Sequence, residues 1–268
     1  VIMEQTLTLY AVKGIPLVKP GDDLFEIINK AISKSSERLQ NGDILVVAQK
    51  IVSKVENRII SLNDVEPSRE ALKIALETDK DPRQIELVLR ESREIIRHRP
   101  GVIIVEQNLG IIMANAGIDH SNIENEGDEE QVLLLPEDPD ETCRKLQTQI
   151  RETLNVSIGV IINDSVGRAW RVGTTGLAIG VAGLPAVVDL RGEKDIFGRE
   201  LLVSEQAVAD ELASAASLLQ GQASEKLPVV IVRGFNSDAP HQNASALIRD
   251  KKMDICLLYT SDAADDET

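Results

Sequence analysis

A carboxylate, a hydroxyl and a cation follow closely on an apolar run in the second half of the chain. Residues 157–163 read SIGVIIN, and Asp164, Ser165, Gly167 and Arg168 come soon after them. The β-branched run predicts a buried strand that ends at Asp164. A strand end can hold the ligands of a metal-bound phosphate, and the glycine would let the backbone approach it closely. A polar turn between two strands is an equally good interpretation of these residues alone.

A second apolar run also leads into a loop that carries a carboxylate. Residues 109–114 are followed by NAGIDHSN, which contains Asp119 and Asn122, and Gln222 lies in another glycine-containing segment. Carboxylate, amide and hydroxyl oxygens favour Mg²⁺ or Mn²⁺ over zinc, and these ions commonly act on phosphate groups. The cations that could neutralise a phosphate are Lys50, Lys54 and Arg168. Two lysines four residues apart are more often only a solvated helix surface.

Several other catalytic motifs are missing from the sequence. It contains neither G-x-x-x-x-G-K-[ST] nor G-x-S-x-G, and no G-x-G-x-x-G follows a predicted strand. The histidines His98, His120 and His241 lack metal-ligand spacing, and Cys143 and Cys256 cannot build a disulfide framework or a cysteine-rich zinc site. The residues therefore favour a metal-dependent enzyme that acts on a phosphorylated substrate.

The net charge and composition exclude other classes of protein. The 268 residues carry a formal charge of −15, whereas a general nucleic-acid binder needs a basic face. A nucleotide remains compatible with this charge, because a metal ion and a few local cations can offset a triphosphate. No run approaches the roughly 20 apolar residues of a membrane span, and the N-terminus lacks a basic region before an apolar one. We expect a cytoplasmic protein that binds neither nucleic acid nor membrane.

The elements that must position these side chains alternate irregularly between strand and helix. Helices are predicted after Asp22 or Asp23, from Pro67, from Pro82 to Arg99, from Asp140 or Glu141 to Leu154, and from Glu205 to Leu219. Further strands are predicted at 6–12, 44–48, 102–107, 109–114, 132–135, 186–190 and 229–232. The predicted fold class is α+β, with mixed or antiparallel sheets and covering helices, rather than a regular doubly wound sheet.

The sequence of residues 256–268 has no pattern that predicts a structural element. The string CLLYTSDAAD at 256–265 resembles the translation of a sequencing adapter, and we exclude residues 256–268 from the fold prediction. We therefore expect one domain over residues 1–255, with its natural C-terminal part missing. A short natural disordered tail is the alternative.

Seven ordered stretches between about Leu7 and Arg249 resemble the coenzyme F420-0:L-glutamate ligases, the γ-glutamyl ligases of a deazaflavin coenzyme. These stretches are GIPLVKPGDDL (14–24), VVAQKIVSKVENR (46–58), NAGIDHSN (115–122), NDSVGRAWRVG (163–173), AIGVAG (178–183), DIFGRELLVS (195–204) and AVADELASAASLLQGQ (207–222). Each is a weak signal alone, but their number and order identify the family. The resemblance implies an unusual α+β fold that forms an intertwined homodimer.

The resemblance also implies a reaction. In this family GTP converts a carboxylate of coenzyme F420-0, or of its last glutamate, into an acyl phosphate, and the amine of L-glutamate then forms an amide. Two divalent ions, Mg²⁺ or Mn²⁺, would let the triphosphate approach the carboxylate, and K⁺ is a candidate monovalent ion. The implied partners are GTP, L-glutamate and the deazaflavin precursor. The number of glutamates added is left open.

The family motifs imply the site residues as well. The implied metal ligands are Asp119, Asp164, Ser165 and Gln222, and the candidate catalytic residues are Asp119, Asp164 and Arg168. The implied nucleotide contacts are Ile15, Pro16, Leu17, Val18, Gln49, Lys50, Lys54, Asn122, Gln220, Gly221, Gln222, Ala223, Ser224, Glu225, Lys226 and Leu227. Gln222 stands where some relatives have glutamate, which leaves the second metal site open. Arg168 either binds phosphate or braces the turn.

Two alternatives to the F420-0 ligase remain at this point. One is a related metal- and nucleotide-dependent amide ligase with another acceptor, since no residue in the sequence indicates specificity for a deazaflavin. The other is a nucleotide-binding protein that has lost turnover, for which Gln222 and the damaged C-terminus are the only hints.

Overall fold

The structure, a computed structural model, describes residues 6–120 and 130–253. The strands of that part are β1 (Thr8–Ala11), β2 (Ile44–Ala48), β3 (Ile59–Ser61), β4 (Ser92–Arg99), β5 (Val102–Gln107), β6 (Ile112–Ala114), β7 (Gln131–Leu133), β8 (Gly159–Gly167), β9 (Thr174–Ala182), β10 (Val188–Asp189), β11 (Glu205–Gln206) and β12 (Val229–Arg233). The α-helices are α1 (Leu24–Lys34), α2 (Gln49–Val55), α3 (Arg69–Thr78), α4 (Pro82–Arg90), α5 (Pro139–Leu154) and α6 (Val208–Gln220).

The largest sheet has five strands in the order β1-β12-β2-β8-β9. Strands β2 and β8 are parallel, and the other neighbours in this sheet are antiparallel. The apolar runs of β2, β8 and β12 are buried on both faces, as expected for strands covered by helices on each side. One face packs against α1, α2 and α5, and the other against α6. The α+β class with mixed and antiparallel sheets is thus confirmed.

A smaller part of the chain has its own core. The antiparallel sheet β4-β5-β6 and the strand pair β3-β7 pack with α3 and α4 around apolar side chains such as Ile85, Val88 and Ile103. A backbone bridge between Asp119 and Leu133 lies at the edge of this part. The smaller core therefore supports the segment that carries Asp119.

Strand β8 does not end at Asp164, so that prediction is wrong. It continues to Gly167, where it pairs with Thr174 of β9, although its pairing with β2 stops at Asn163. The antiparallel partner β9 supplies the backbone hydrogen bonds that keep the polar residues extended. Asp164 and Ser165 are consequently strand residues beside an edge that β2 has left open.

Other boundaries also differ from prediction. The helix that starts at Pro82 ends at Arg90, and residues 92–99 form β4, because their backbone pairs with β5. The last long helix starts at Val208 instead of Glu205, since β11 pairs with β10. Two helix starts are shifted by the residues that cap them, which are Ser68 for α3 and Asp138 for α5. The predicted cap at Asp23 and the first-turn proline of α4 are confirmed.

Glycines allow two helices to approach the sheet closely. A Cβ at Gly176 would lie 2.5 Å from the carbonyl oxygen of Ala213 in α6, and one at Gly180 would lie 2.6 Å from the backbone of Pro139 in α5. Both separations are shorter than a carbon atom tolerates, so these positions of β9 have no room for a side chain. The small-residue segment is therefore a packing surface for the helices.

Two hairpins project from the main sheet. The first is the outer part of β8 and β9, whose tip is residues 168–173. The second, which we call the arm, is residues 188–206, bounded by β10 and β11. Large apolar side chains on both are exposed, namely Trp170, Val172, Ile196, Phe197, Leu202 and Val203. Among the helices of residues 6–120 and 130–253, none combines the length and apolar character that a membrane crossing needs.

Candidate functional site

The candidate site lies at the carboxyl ends of the parallel strands β2 and β8. Strand β2 ends at Ala48, opposite Asn163, and the chain turns directly into α2. Strand β8 runs past this point and carries Asp164 and Ser165. Ligands of open sheets that contain parallel strands commonly bind in the crevice beyond such strand ends. We call the region between the start of α2 and the outer part of β8 the crevice.

Two carboxylates and an ammonium group meet on one side of this crevice. Lys50 Nζ lies 2.6 Å from Asp119 Oδ2. Burial raises the pKa of the Asp164 carboxyl, and the negative charge of Asp119 raises it further, whereas the Ser165 backbone N–H and the Lys50 charge lower it. Asp119, which is remote from Asp164 in sequence, is thus close enough to affect its ionisation. The structure brings these three predicted site residues together.

The backbone around Asp119 fixes its position. Asp119 N–H donates to the Leu133 carbonyl at 3.0 Å, and Leu133 N–H donates to the Asp119 carbonyl at 2.8 Å. Asn115, Ala116 and Gly117 before it all have positive φ angles, which carry the chain around a tight corner. A Cβ on Gly117 would lie 2.8 Å from Leu135, so this corner packs directly on the core.

Ser165 and Gln222 meet on the opposite face of β8. Gln222 Nε2 donates to Ser165 Oγ at 2.8 Å. Successive side chains of a strand point to opposite faces, and Ile162 and Val166 pack with α1, α2 and α5 while Ile161 packs with α6. Asp164 therefore lies on the α2 side and Ser165 on the α6 side. The four predicted ligands form two pairs, one on each face of the strand.

A buried amide pair joins β8 to the loop that carries Gln222. Asn163 Nδ2 donates to Gln220 Oε1 at 2.8 Å, and Gln220 Nε2 donates to Asn163 Oδ1 at 3.1 Å. Gln220 also donates to the Pro228 carbonyl at 3.4 Å, on the other side of the loop. The Gln220 side chain, predicted as a nucleotide contact, is thus engaged in holding the ends of the 220–227 loop.

The conformation of the 220–227 loop is set at its first residues. Gly221 has φ 73° and ψ −177°, a backbone conformation that is strongly disfavoured for residues other than glycine. The Glu225 carboxylate accepts a hydrogen bond from Ala223 N–H at 2.8 Å and lies against Gly221. Gln222, Ala223, Ser224, Glu225 and Lys226 are all exposed. The loop consequently presents its backbone and side chains to solvent beside Ser165.

Arg168 braces the hairpin tip. Its Nη2 atom donates to the carbonyl groups of Val172 and Gly173, at 3.4 Å each. Its side chain lies at the exposed tip rather than beside the Asp119 and Lys50 ion pair. Of the two interpretations of Arg168, the structure favours the brace.

The other predicted nucleotide contacts are spread over two segments. Lys54 lies one turn after Lys50 on α2, as its spacing indicates. In the loop before α1, Leu17 and Pro16 are exposed, Ile15 is half-buried, and the Val18 side chain is buried in the main core. That side chain is therefore unavailable to a nucleotide. Asn122 lies outside the described residues.

The donor set at the strand ends fits a hard divalent cation. No group of three His, Cys, Asp or Glu side chains that could hold a metal occurs within residues 6–120 and 130–253. The two carboxylates, Asp119 and Asp164, are nevertheless held close enough to repel each other, and a cation between them would relieve that repulsion. The remaining predicted donors, Ser165 and Gln222, also offer oxygen atoms, which suit Mg²⁺ or Mn²⁺.

Sequence reasoning missed two polar residues behind the site. Asn163 was counted only as the end of an apolar run, and Ser53 was not considered, yet both are buried and hydrogen-bonded. The signal for Asn163 was a polar residue in an otherwise apolar run. The signal for Ser53 was its spacing of four from Gln49, which places both side chains on one face of a helix.

Comparisons with known proteins agree with the motifs. The family model for F420-0:gamma-glutamyl ligase matches residues 14–234. A protein of Methanothermobacter thermautotrophicus named coenzyme F420:L-glutamate ligase is 44% identical over 254 residues, covering 93% of this chain and 98% of the relative. Proteins with the same name from Methanopyrus kandleri (43% identical, 91% of this chain and 96% of the relative) and Archaeoglobus fulgidus (42% identical, 85% and 88%) are also similar.

Proposed function

The chain belongs to the F420-0:gamma-glutamyl ligase family, and we propose that it joins L-glutamate to coenzyme F420-0 through an amide bond. In this proposal GTP supplies the energy by phosphorylating the acceptor carboxylate. The observation that carries the proposal is the meeting of Asp119, Asp164 and Lys50 at the carboxyl ends of β2 and β8, in a chain 44% identical to a protein named for this activity.

The chemistry has two steps. An oxygen of the acceptor carboxylate attacks the γ-phosphorus of GTP, so that GDP leaves and an acyl phosphate forms. The neutral amine of L-glutamate then attacks the acyl carbon, its N–H proton passes to solvent, and the bond from the acyl carbon to the phosphate oxygen breaks so that inorganic phosphate leaves. Both steps bring anionic groups together, and their main obstacle is electrostatic repulsion.

The residues of the site are suited to reduce that repulsion. Asp119 and Asp164 would hold a divalent ion on the α2 side of β8, and Ser165 and Gln222 would supply ligands on the α6 side. When bound, the divalent ions would neutralise phosphate and carboxylate oxygens as these approach each other. Lys50 is already paired with Asp119 and adds a positive charge at the same place. K⁺ is a further candidate ion for the site.

The 220–227 loop is the proposed binding segment for the nucleotide. Its exposed part follows α6 and is held at both ends by Gln220. Lys54 and the exposed residues of the loop before α1 complete the proposed contacts. The alternative, direct phosphate binding by Arg168, has less support because that side chain already donates to two tip carbonyls.

We also propose that the enzyme is a homodimer. The support is the set of large apolar side chains exposed on the hairpin tip and on the arm, which a second copy would bury. Large exposed apolar surface is unusual on monomers and typical of interfaces.

The test is product formation with purified protein. The protein is incubated with Mn²⁺, L-glutamate, coenzyme F420-0 and GTP, and glutamylated product and GDP are measured by liquid chromatography and mass spectrometry. We expect one GDP for each glutamate added, and neither product when the acceptor or glutamate is omitted. Turnover only with another acceptor would support a related ligase instead. GTP binding without turnover would indicate a protein that has lost activity.

A further inference from the structure

The side chain of Gln49, implied by family resemblance to contact nucleotide, faces the protein interior. Gln49 is the first residue of α2 and is only 3% exposed. Ser53, one turn later on the same face of the helix, is fully buried. A side chain that is this buried offers almost no surface to a nucleotide in the crevice. Its role must be sought among the groups it contacts inside the protein.

Both ends of the Gln49 amide have partners. Ser53 Oγ donates to Gln49 Oε1 at 2.9 Å. The register of β2 and β8 pairs Ala48 with Asn163, so the next residues, Gln49 and Asp164, lie side by side, and a hydrogen-bonding contribution from the Gln49 side chain lowers the pKa of Asp164. An ionised carboxylate only accepts hydrogen bonds, so the Nε2 group must face Asp164, and Oε1 remains for the serine hydroxyl. The two partners together allow one orientation of the amide.

We propose that Gln49 is a positioning residue for Asp164 and that Ser53 locks Gln49 in place. One lone pair of the Asp164 carboxylate would accept a hydrogen bond from Gln49. The other lone pairs would then point into the crevice, where Asp119 and Lys50 lie. The inference rests on the proposed function, because it gives Asp164 the role of a metal ligand. It changes the role of Gln49 from nucleotide contact to orientation of that ligand.

The expected size of the effect follows from partners of this type. Groups that hydrogen-bond to a metal ligand orient it, and their removal commonly lowers metal affinity by about 10- to 100-fold. We expect Gln49→Met, which keeps the length and removes both polar ends, to weaken Mn²⁺ binding by that amount. Ser53→Ala leaves the Gln49 amide in place but removes the hydrogen bond that fixes its orientation. We expect a smaller loss of Mn²⁺ affinity, about 3- to 10-fold.

The experiment measures Mn²⁺ binding by electron paramagnetic resonance, without GTP or acceptor, for the full chain and each variant. GTP affinity without divalent metal is measured in parallel. If Gln49 positions Asp164, Gln49→Met weakens Mn²⁺ binding and leaves metal-free GTP affinity unchanged. The double variant Gln49→Met/Ser53→Ala should bind Mn²⁺ no more weakly than Gln49→Met alone, because Ser53 acts through Gln49.

Gln107→Met is the matched control. Gln107 is a second buried glutamine, 2% exposed, and its Oε1 accepts from Leu109 N–H in the smaller sheet. The Gln107→Met substitution should lower the melting temperature without altering Mn²⁺ binding. Unchanged Mn²⁺ affinity in Gln49→Met, or a loss confined to metal-free GTP affinity, would overturn the positioning role. If Gln49→Met fails to fold, unchanged Mn²⁺ affinity in Ser53→Ala overturns it. Absence of Mn²⁺ binding to the unsubstituted chain would refute the metal site itself.

Discussion

The base and the tip of the β8–β9 hairpin differ in their side chains, which are polar and partnered at the base and apolar and exposed at the tip. At the base, Asn163 is hydrogen-bonded to Gln220 and Asp164 lies beside Gln49, so the polar groups have partners within the same chain. At the tip, the large apolar side chains of Trp170 and Val172 are fully exposed. One hairpin thus combines a preorganised polar site with an apolar surface that no described residue covers.

The arm resembles the tip and not the base. Ile196 and Phe197 are largely exposed, and the ends of the arm are held by backbone pairing and by an ion pair between Asp189 and Arg191. Exposed ion pairs contribute little to stability, so the arm depends on what covers its apolar side chains. The difference teaches that the polar groups at the base have partners within the chain, whereas the exposed apolar side chains of the projecting hairpins are the surface on which the proposed homodimer depends.

The largest effect is expected at the base. Asp164→Asn should lower ligation by about 10³-fold or more, because the substitution removes the charge of a proposed metal ligand, and such a ligand contributes several kcal/mol in the transition state. The measurement is the rate of GDP release dependent on acceptor and glutamate. Asp23→Asn, which keeps the cap of α1, is the control and should be fully active. Activity of Asp164→Asn close to that of the unsubstituted chain would remove Asp164 from the site.

The next largest effect is expected on the arm. The double variant Ile196→Ser/Phe197→Ser should weaken self-association by about 10²-fold, because it removes two large side chains from the proposed interface. Sedimentation equilibrium over a range of protein concentrations measures this change. Leu76→Ser, at an exposed apolar position on α3, should leave association unchanged. An unsubstituted chain that remains monomeric at high concentration would contradict this account of the arm.

A third prediction concerns the opposite face of β8. Ser165→Ala should reduce activity by about tenfold, since it removes a proposed oxygen ligand and the acceptor for Gln222. Ser165→Thr keeps the hydroxyl and should retain most of the activity. The comparison of the two rates at saturating Mn²⁺ tests whether the hydroxyl is needed. Equal activity of both variants would confine ligand binding to the α2 side of the strand.

Two aspartates should give opposite dependences of stability on pH. Burial raises the pKa of Asp164, so its contribution to stability is present below its unfolded pKa and is lost as the pH rises through the raised value. Hydrogen bonds from Arg191 lower the pKa of Asp189 to about 2, so its contribution is present at neutral pH and is lost on acidification.

Urea unfolding in the absence of metal, from pH 3 to about pH 8, measures this difference. Asp164→Asn should become more stable relative to the unsubstituted chain as the pH increases. Asp189→Asn should lose a small amount of stability at neutral pH and less at pH 3, and the loss should stay small because its partner is a solvent-screened surface arginine. If the free energy of unfolding of Asp164→Asn instead decreased relative to that of the unsubstituted chain as the pH increased, the ionised Asp164 carboxylate would not be destabilised by burial.

The smallest effect is expected for Arg168. If it only braces the hairpin tip, Arg168→Gln should change the KM for GTP by no more than about threefold, since two long hydrogen bonds at an exposed site contribute little. Steady-state kinetics with varied GTP measure this. A tenfold or larger increase in KM would restore Arg168 as a phosphate ligand.

Much of the framework follows from local sequence pattern. The apolar runs of β2, β8 and β12, the cap at Asp23 and the first-turn proline of α4 are properties of short segments, and each is where the pattern places it. The charged segment 92–99 was assigned to the wrong element, because β4 is stabilised by pairing with β5 more than by its own periodicity.

The details of the site depend on contacts between distant parts of the chain. The alternation of predicted strands and helices was sufficient for the α+β class, and the resemblance of the ordered motifs to a ligase family implied Asp119, Asp164, Ser165 and Gln222 as candidates. That Asp164 and Ser165 point to opposite faces follows from the continuation of β8, which β9 enforces by backbone pairing. That Gln49 turns inward follows from the buried partners Ser53 and Asp164. Side-chain direction at a strand or helix end is set by these long-range hydrogen bonds, which no local pattern encodes.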